Sequence, residues 1–527
     1  MPPATPCPGP GGLGRPPSRH QCYNSAGPPA RSLGRSVVNE VIERALNVAQ
    51  LRGATYADVR VVHRVEQALL VRNGVVQGIS QIEDMGFGVR VIADGAWGFA
   101  SSARLTVAEA ERVAAQAVAI ARASALFKKA DVDIGPPVVQ RGTYRTPIQV
   151  DPFAVPLEKK LEVLMAADAA MRAVRGIAAT EAEMVFIRER KTFASTEGSW
   201  IEQEIVESGC GIEALAVGPD EVQRRSYPNS VGRHQMTRGW EFIEECDLPG
   251  NAPRIAEEAV ALLSADPCPE AVTTVILGGS QVALQIHESC GHPIELDRVF
   301  GTEAAYAGTS FLTPEKLGAF RYGSEVVNIT ADATLPGGLG TFGWDDEGVP
   351  AQRVDIVKEG RFVGYMTSRE TARQLLRLLG PSPYVTGLSN GTMRASGWNR
   401  IPLIRMTNVN LLPGTWRLED LIADTDEGIF MDTNRSWSID DKRLNFQFGC
   451  EIAWEIKGGK LTRMLKNPIY TGITPEFWRS CDAVCNADHW VIWGTPNCGK
   501  GQPPQLAHTG HGAAPARFRN VRVFSTR

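Results

Sequence analysis

The chain has 527 residues, 43% hydrophobic and 22% charged, and its 55 basic against 59 acidic side chains leave a formal net charge of −4. This balance is that of a soluble globular protein and excludes a wholly disordered chain, a collagen-like repeat and a membrane bundle. The near-neutral charge also lacks the basic stripe that nucleic acid requires.

At about 150 residues per domain the length allows about three domains. Ten cysteines are too few and too irregularly spaced for a disulfide scaffold, which points to a reducing cytoplasm. No apolar run approaches the ~18 residues of a membrane span, and the N-terminus carries no apolar secretion signal. Neither nucleic acid nor membrane is expected as a partner.

Residues 1–35 are rich in Pro, Gly and Arg and contain no acid, a composition expected to stay disordered. Helical spacing begins with Val38, Val41, Ile42, Ala45, Leu46 and Ala49 and stops at Gly53. Strands are predicted over 57–65, 67–71 and 75–79, with Asn73-Gly74 as a hairpin turn. A second hairpin, 88–92 with 96–100, turns at Asp94-Gly95 before a helix over 107–125. The order then recurs: a helix over 157–174, strands over 179–188, 191–195, 200–206, 211–217 and 221–226, and a helix over 252–264.

Helix, long strand, hairpin, hairpin, helix thus occurs twice without similarity between the two sequences. Two stacked α+β units or one sheet built from two halves would give this order, and so would a coincidental hairpin series. Neither unit holds a His/Cys/acid cluster, so residues 36–265 are assigned to an α+β domain that serves as architecture.

From 266 to 527 a buried strand over 272–277 leads through Gly278-Gly279-Ser280 into a helix. Short strands with strong turn signals follow, interrupted by helices over 368–378, 418–422 and 475–485. The expected fold class is therefore α+β. A mixed N-terminal domain of antiparallel hairpins and flanking helices precedes a β-rich C-terminal domain that carries the helix with the chain's most informative residues.

Those residues are His287-Glu288-Ser289-Cys290-Gly291-His292, an HExxxH pattern. In HExxH the two rings stand about 40° apart on a helix and face one metal, whereas a spacing of five sets them about 140° apart. Gly291 can loosen the turn, and Pro293 disfavours the α conformation at His292. The helix is therefore expected to end or to widen into a π-type turn at Gly291, swinging His292 back beside His287.

A zinc site would need a third protein ligand. Three sources are open. Cys481, Cys485 and His489 share a face if the helix over 475–485 continues; His508 and His511 lie in a Gly-rich segment; Cys498 sits on a Gly/Pro-shaped loop after a strand over 490–493.

The segments HESCGHPIELDRVFG, GTFGWDDEGVPAQ, SNGTMRASGWNRIPLIRMTN and NCGKGQP together resemble the TldD/PmbA family of metallopeptidases, and specifically its catalytic, TldD-type subunit. The resemblance spans roughly residues 36–527. It implies that His287, His292 and Cys498 bind Zn²⁺ and that Glu288 is the general base. It further implies a two-domain protomer that forms a homodimer or pairs with a PmbA/TldE-like subunit lacking the metal motif.

The expected activity is zinc-dependent hydrolysis of peptide bonds in extended or unfolded polypeptide. Lys500, His508 and His511 are candidates for oxyanion or substrate contacts, and Asp345, Asp346 and Glu347 for orienting a ligand histidine. Two other readings stay in play: a thiol hydrolase with Cys498 as nucleophile and His508 or His511 as base, and a non-catalytic peptide-binding scaffold.

Overall fold

The computed structural model describes residues 35–230 and 234–525. Of the extension expected to be disordered, residues 1–34 lie outside the described residues, and Arg35 begins the first helix.

The first half runs α1 (Arg35–Leu51), β1 (Tyr56–Arg72), β2 (Val75–Ala93), β3 (Ala96–Ser102), α2 (Val107–Ala125), β4 (Arg141–Arg145), α3 (Leu157–Arg172), β5 (Ile177–Ser195), β6 (Trp200–Val217), β7 (Val222–Tyr227), β8 (His234–Met236), α4 (Glu241–Cys246) and α5 (Leu248–Leu262). Its strands form one sheet of order β3-β2-β1-β5-β6-β4, with β7 and β8 paired to β6. The repeated element order is thus one sheet built from two halves, joined by the antiparallel β1–β5 pair.

The predicted short strands are pieces of longer ones. Polar stretches such as Gln81, Glu83 and Asp84 continue β2 because β1 pairs with it there while its side chains face water. Asn73 and Gly74, both at positive φ (51° and 78°), close the β1–β2 hairpin as a two-residue turn.

Odd-numbered β1 residues fix where the helices pack. Ala57, Val59 and Val61 meet α1 and α2 in one core, and Leu69 and Val71 meet α3 and α5 in another. The helices therefore cover one face of the sheet. Even-numbered Asp58 and Arg60 point to the opposite face, which packs on the second half of the chain through Arg60–Asp346.

The second half runs β9 (Asp266–Pro267), β10 (Ala271–Leu277), α6 (Gly279–Ile286), a π-helical turn (His287–Gly291), α7 (Leu296–Val299), β11 (Ile329–Asp332), β12 (Arg353–Lys358), β13 (Arg361–Phe362), α8 (Arg369–Leu379), β14 (Met393–Arg394), β15 (Leu403–Ile404) and β16 (Val409–Leu411). It continues with α9 (Leu418–Ala423), β17 (Glu427–Ile439), β18 (Asn445–Lys457), β19 (Lys460–Lys466), β20 (Pro468–Ile473), α10 (Thr474–Arg479), β21 (Cys481–Val484), β22 (Val491–Lys500), β23 (Gln505–Ala513) and β24 (Ala516–Ser525).

The main sheet has the order β17-β10-β24-β20-β18-β19-β9, and β17 also pairs with β18, so the strands from β17 round to β18 close on themselves. Closure leaves no open edge in that part of the sheet. The expected α+β class, with its strand-rich C-terminal region, is the fold observed.

The helix expected over 475–485 ends at Arg479, because Cys481–Val484 pairs instead with β24. Cys481, Cys485 and His489 consequently share no helical face, and His489 Nε2 accepts a hydrogen bond from the Leu418 N–H at 3.2 Å. Among the described residues no helix is long and apolar enough to cross a membrane.

Candidate metal centre

Strand β10 delivers the chain into α6, whose Val282, Ala283 and Ile286 are buried in the core of the second half. Gln281 anchors the helix from the other side by donating to the Tyr470 hydroxyl at 2.8 Å. The helix then widens into the π turn, marked by the 3.2 Å bond from His292 N to His287 O across five residues.

The widened turn is held by its neighbours. The Tyr322 hydroxyl donates to Ser289 O at 3.0 Å, and Trp478 Nε1 to Ser289 Oγ at 2.9 Å. Any Cβ at Gly291 would run into Met406 Sδ, so only glycine permits this approach. His292 nevertheless keeps helical dihedrals (φ −66°, ψ −42°) in spite of the preference imposed by Pro293. The extra residue of the π turn, rather than an extended His292, is what brings the second ring back, and the His287 and His292 ring centroids lie 5.0 Å apart.

Cys498 completes the cluster from β22. The residue lies on a strand, not on the expected loop: β22 continues to Lys500, the register shifting between Thr495 and Cys498 to absorb Pro496, and Cys498 pairs with Ala507 of β23. One donor atom each from His287, His292 and Cys498 lies within 4.8 Å of the others, and all three residues are buried.

Cys498 Sγ stands 3.7 Å from His292 Nε2. Ordinary tetrahedral Zn–N and Zn–S bonds separate a nitrogen and a sulfur by about 3.6 Å. Two imidazoles and a thiol are also a donor set that zinc favours, so these residues fit the ion.

The hydrogen bonds behind the rings fix which nitrogen is free. Val409 O can only accept, so His511 Nδ1, 3.0 Å away, donates to it. His511 Nε2 then accepts from His287 Nδ1 at 2.8 Å, which leaves the His287 Nε2 lone pair for a ligand. Glu295 Oε2 accepts from His292 Nδ1 at 3.0 Å and turns the His292 Nε2 lone pair toward Cys498. Burial pushes the pKa values of His287, His292 and His511 down, which keeps the rings neutral. Burial opposes a Cys498 thiolate, but the contact with His292 and the charge of Arg405 outweigh it and hold the thiol below its ordinary range.

The cluster opens on a cleft of about 560 Å³ whose walls come from both halves of the chain, Glu181, Asn229 and Ser230 facing His287, Glu288 and Arg443. Glu288 is 7% exposed and paired with Arg443 Nη1 on the same wall of the cleft.

Several sequence expectations move. Lys500 is buried away from the cleft, its Nζ bonding Asp297 at 2.7 Å and Ile404 O at 2.8 Å. His508 pairs with Glu207 at 2.6 Å and lines a separate cavity of about 400 Å³, and His511 stands behind His287. None of the three lines the cleft: Lys500 is drawn off by Asp297 and Ile404, His508 by Glu207, and His511 packs behind His287.

Asp345, Asp346 and Glu347 do not orient a ligand histidine either. Asp345 accepts from the backbone of Glu347, Val349 and Met393, while Asp346 and Glu347 pair with Lys191 and Arg90 of the first sheet. Glu295 and His511 are the groups hydrogen-bonded to the His292 and His287 rings. Glu295, three residues beyond His292, was within reach of sequence reasoning; Arg443, 155 residues from Glu288, left no signal.

Removing a carboxylate that orients a metal-bound histidine commonly weakens metal affinity by about 10- to 100-fold. Glu295→Ala should therefore lower zinc affinity on that scale, as read by competition with a fluorescent chelator.

Comparison with known proteins places the chain. Family models match along its length: PmbA/TldA metallopeptidase domain 1 over residues 57–121, the central domain over 150–265 and the C-terminal domain over 270–524. Metalloprotease MJ0996 of Methanocaldococcus jannaschii is 30% identical over 448 residues, 84% of this chain and 92% of that one. The zinc metalloprotease TldD homolog of Saccharolobus solfataricus is 26% identical over 201 residues, 38% of this chain and 41% of that one. The crystal structure of TldE from Thermococcus kodakarensis superposes with a TM-score of 0.69 at 16% identity, covering 92% of this chain and all of that one. With its curated relatives named as metalloproteases and a His/His/Cys cluster of zinc-binding geometry at its centre, the chain belongs to the PmbA/TldD family of metallopeptidases.

Proposed function

We propose that the chain hydrolyses peptide bonds in extended polypeptide, with His287, His292 and Cys498 as zinc ligands and Glu288 as general base. The observation that carries this reading is the convergence of three buried donor atoms and Glu288 on one cleft. A bound zinc ion would supply Lewis acidity, lowering the pKa of a water and polarising a carbonyl.

The chain's own residues do the rest. Glu288 takes the proton of the attacking water and passes it to the leaving nitrogen. His511 and Glu295 hold the ligand rings in the tautomers that present Nε2. Extended substrate is favoured because, among the described residues, β22 pairs only with β23, and Thr495–Gly499 on it line the cleft with backbone groups that a peptide strand can meet.

The thiol-hydrolase alternative finds no support in the geometry, since the imidazole beside Cys498 is His292, while His508 and His511 are engaged elsewhere. The TldD-type relatives and the TldE-like fold support pairing with a TldE-like subunit. A reducing cytoplasm, which keeps the Cys498 thiol available, suits the site.

Metal analysis tests the reading. Purified protein should carry zinc and His287→Ala should not; a chelator should abolish cleavage of an unstructured peptide, and added Zn²⁺ should restore it. Undiminished cleavage by metal-stripped protein would overturn it.

A further inference from the structure

We propose that Arg443 is a catalytic residue that hydrogen-bonds the oxyanion formed at the scissile carbonyl. This rests on the peptidase reading above and supplies the donor that Lys500, His508 and His511 do not.

Among the described residues that line the cleft, Arg443 is the only Arg or Lys, and it shares that wall with His287, Glu288, His292 and Cys498. Its Nη1 pairs with Glu288 Oε2, so the guanidinium already stands where the proton acceptor stands. Its side chain is 16% exposed and, among the described residues, only its Nη1 is hydrogen-bonded, so Nη2 keeps donor capacity for an incoming oxygen. A guanidinium donates without losing its proton, which suits an oxyanion partner.

The turn between β17 and β18 holds this cation in place. Arg443 sits at φ 63°, a conformation unfavourable for a residue with a side chain. It is kept there from both sides: Arg443 N donates to Asp440 O at 2.9 Å, and Thr474 Oγ1 donates to Arg443 O at 2.9 Å. Asp440 Oδ1 in turn accepts from Leu444 N at 2.7 Å. A strained residue fixed by surrounding bonds at a site of chemistry is preorganisation, and a donor that need not reorganise stabilises developing charge best.

The step balances as follows. The water oxygen bonds the carbonyl carbon, the C=O π pair moves onto oxygen, and the water proton goes to Glu288. Arg443 then holds the resulting O⁻ without transferring a proton. As the C–N bond breaks, its electron pair stays on nitrogen, which receives the proton from Glu288, and the carbonyl re-forms.

Arg443→Gln and Arg443→Lys test this against a fluorescence-quenched unstructured peptide, a phosphinic peptide as tetrahedral mimic, and zinc content. Loss of one oxyanion donor should lower kcat by about 10²- to 10³-fold. The Ki of the phosphinic peptide should rise in parallel, with zinc content and KM for the peptide unchanged, and Arg443→Lys should recover part of both losses. Native-like kcat in both variants, or a fall in kcat with no change in Ki, would overturn the proposal alone. A native, zinc-loaded protein that cleaves no peptide would overturn the peptidase reading and this proposal with it.

Discussion

Glu288→Gln should abolish turnover while zinc content stays that of the native protein. Loss of a positioned general base costs about 10²- to 10⁴-fold, and the upper end is expected here because, among the described residues, Glu288 is the only carboxylate on the turn that carries His287 and His292. Glutamine keeps the length and shape of the side chain but cannot accept the proton. The donor atoms of His287, His292 and Cys498 are untouched by the change. Steady-state kinetics beside metal analysis therefore separates this variant, inactive but loaded, from His287→Ala, inactive and empty. Undiminished activity in Glu288→Gln would remove the assigned base.

Glu451→Ala should destabilise the protein by about 3–5 kcal/mol, the usual cost of breaking a buried ion pair from one side. Glu451 is 0% exposed on β18. It accepts from Arg225 Nη1 at 2.9 Å, Ser226 N at 2.8 Å and Ser226 Oγ at 2.8 Å, all on β7 of the other sheet. Alanine leaves those donors buried and short of an acceptor, while Arg225 keeps, among the described residues, its pair with Glu258. Urea unfolding followed by tryptophan fluorescence measures the loss, and Glu451→Gln, which retains an acceptor, should lose less. A midpoint unchanged in the alanine variant would show that the two sheets are joined mainly by other contacts.

The HExxxH geometry was legible because its causes are local: a spacing too wide for an α-helix, a glycine and a following proline within a few residues. Even there the proline argument pointed to an extended His292, and packing around Ser289 and Gly291 kept the residue helical. Cys498 became distinguishable from other thiols and histidines only through the family resemblance. Its approach to His292 depends on β22–β23 pairing and on where α6 lies, neither of which is encoded nearby.

Strand lengths were underestimated for a related reason. Polar residues such as Glu189 and Arg190 look like breaks, yet β5 is paired on both sides through them. The acidic run Asp345-Asp346-Glu347 looked like a site feature, and it proved to be where the second half of the chain meets the cations Arg60, Arg90 and Lys191 on the face of the first sheet that its helices leave free.

The bond from His511 to Val409 O has an evolutionary side. Because the acceptor is a main-chain carbonyl, no exchange of side chain at position 409 deletes it. The nitrogen that His287 offers is thus specified by how β16 lies against β23, where Asn408 bridges to Gly510. Position 409 can drift among apolar residues of similar bulk while the proton pattern two imidazoles away is inherited unchanged. Altering that pattern takes a substitution of His511 itself or a slip of strand register.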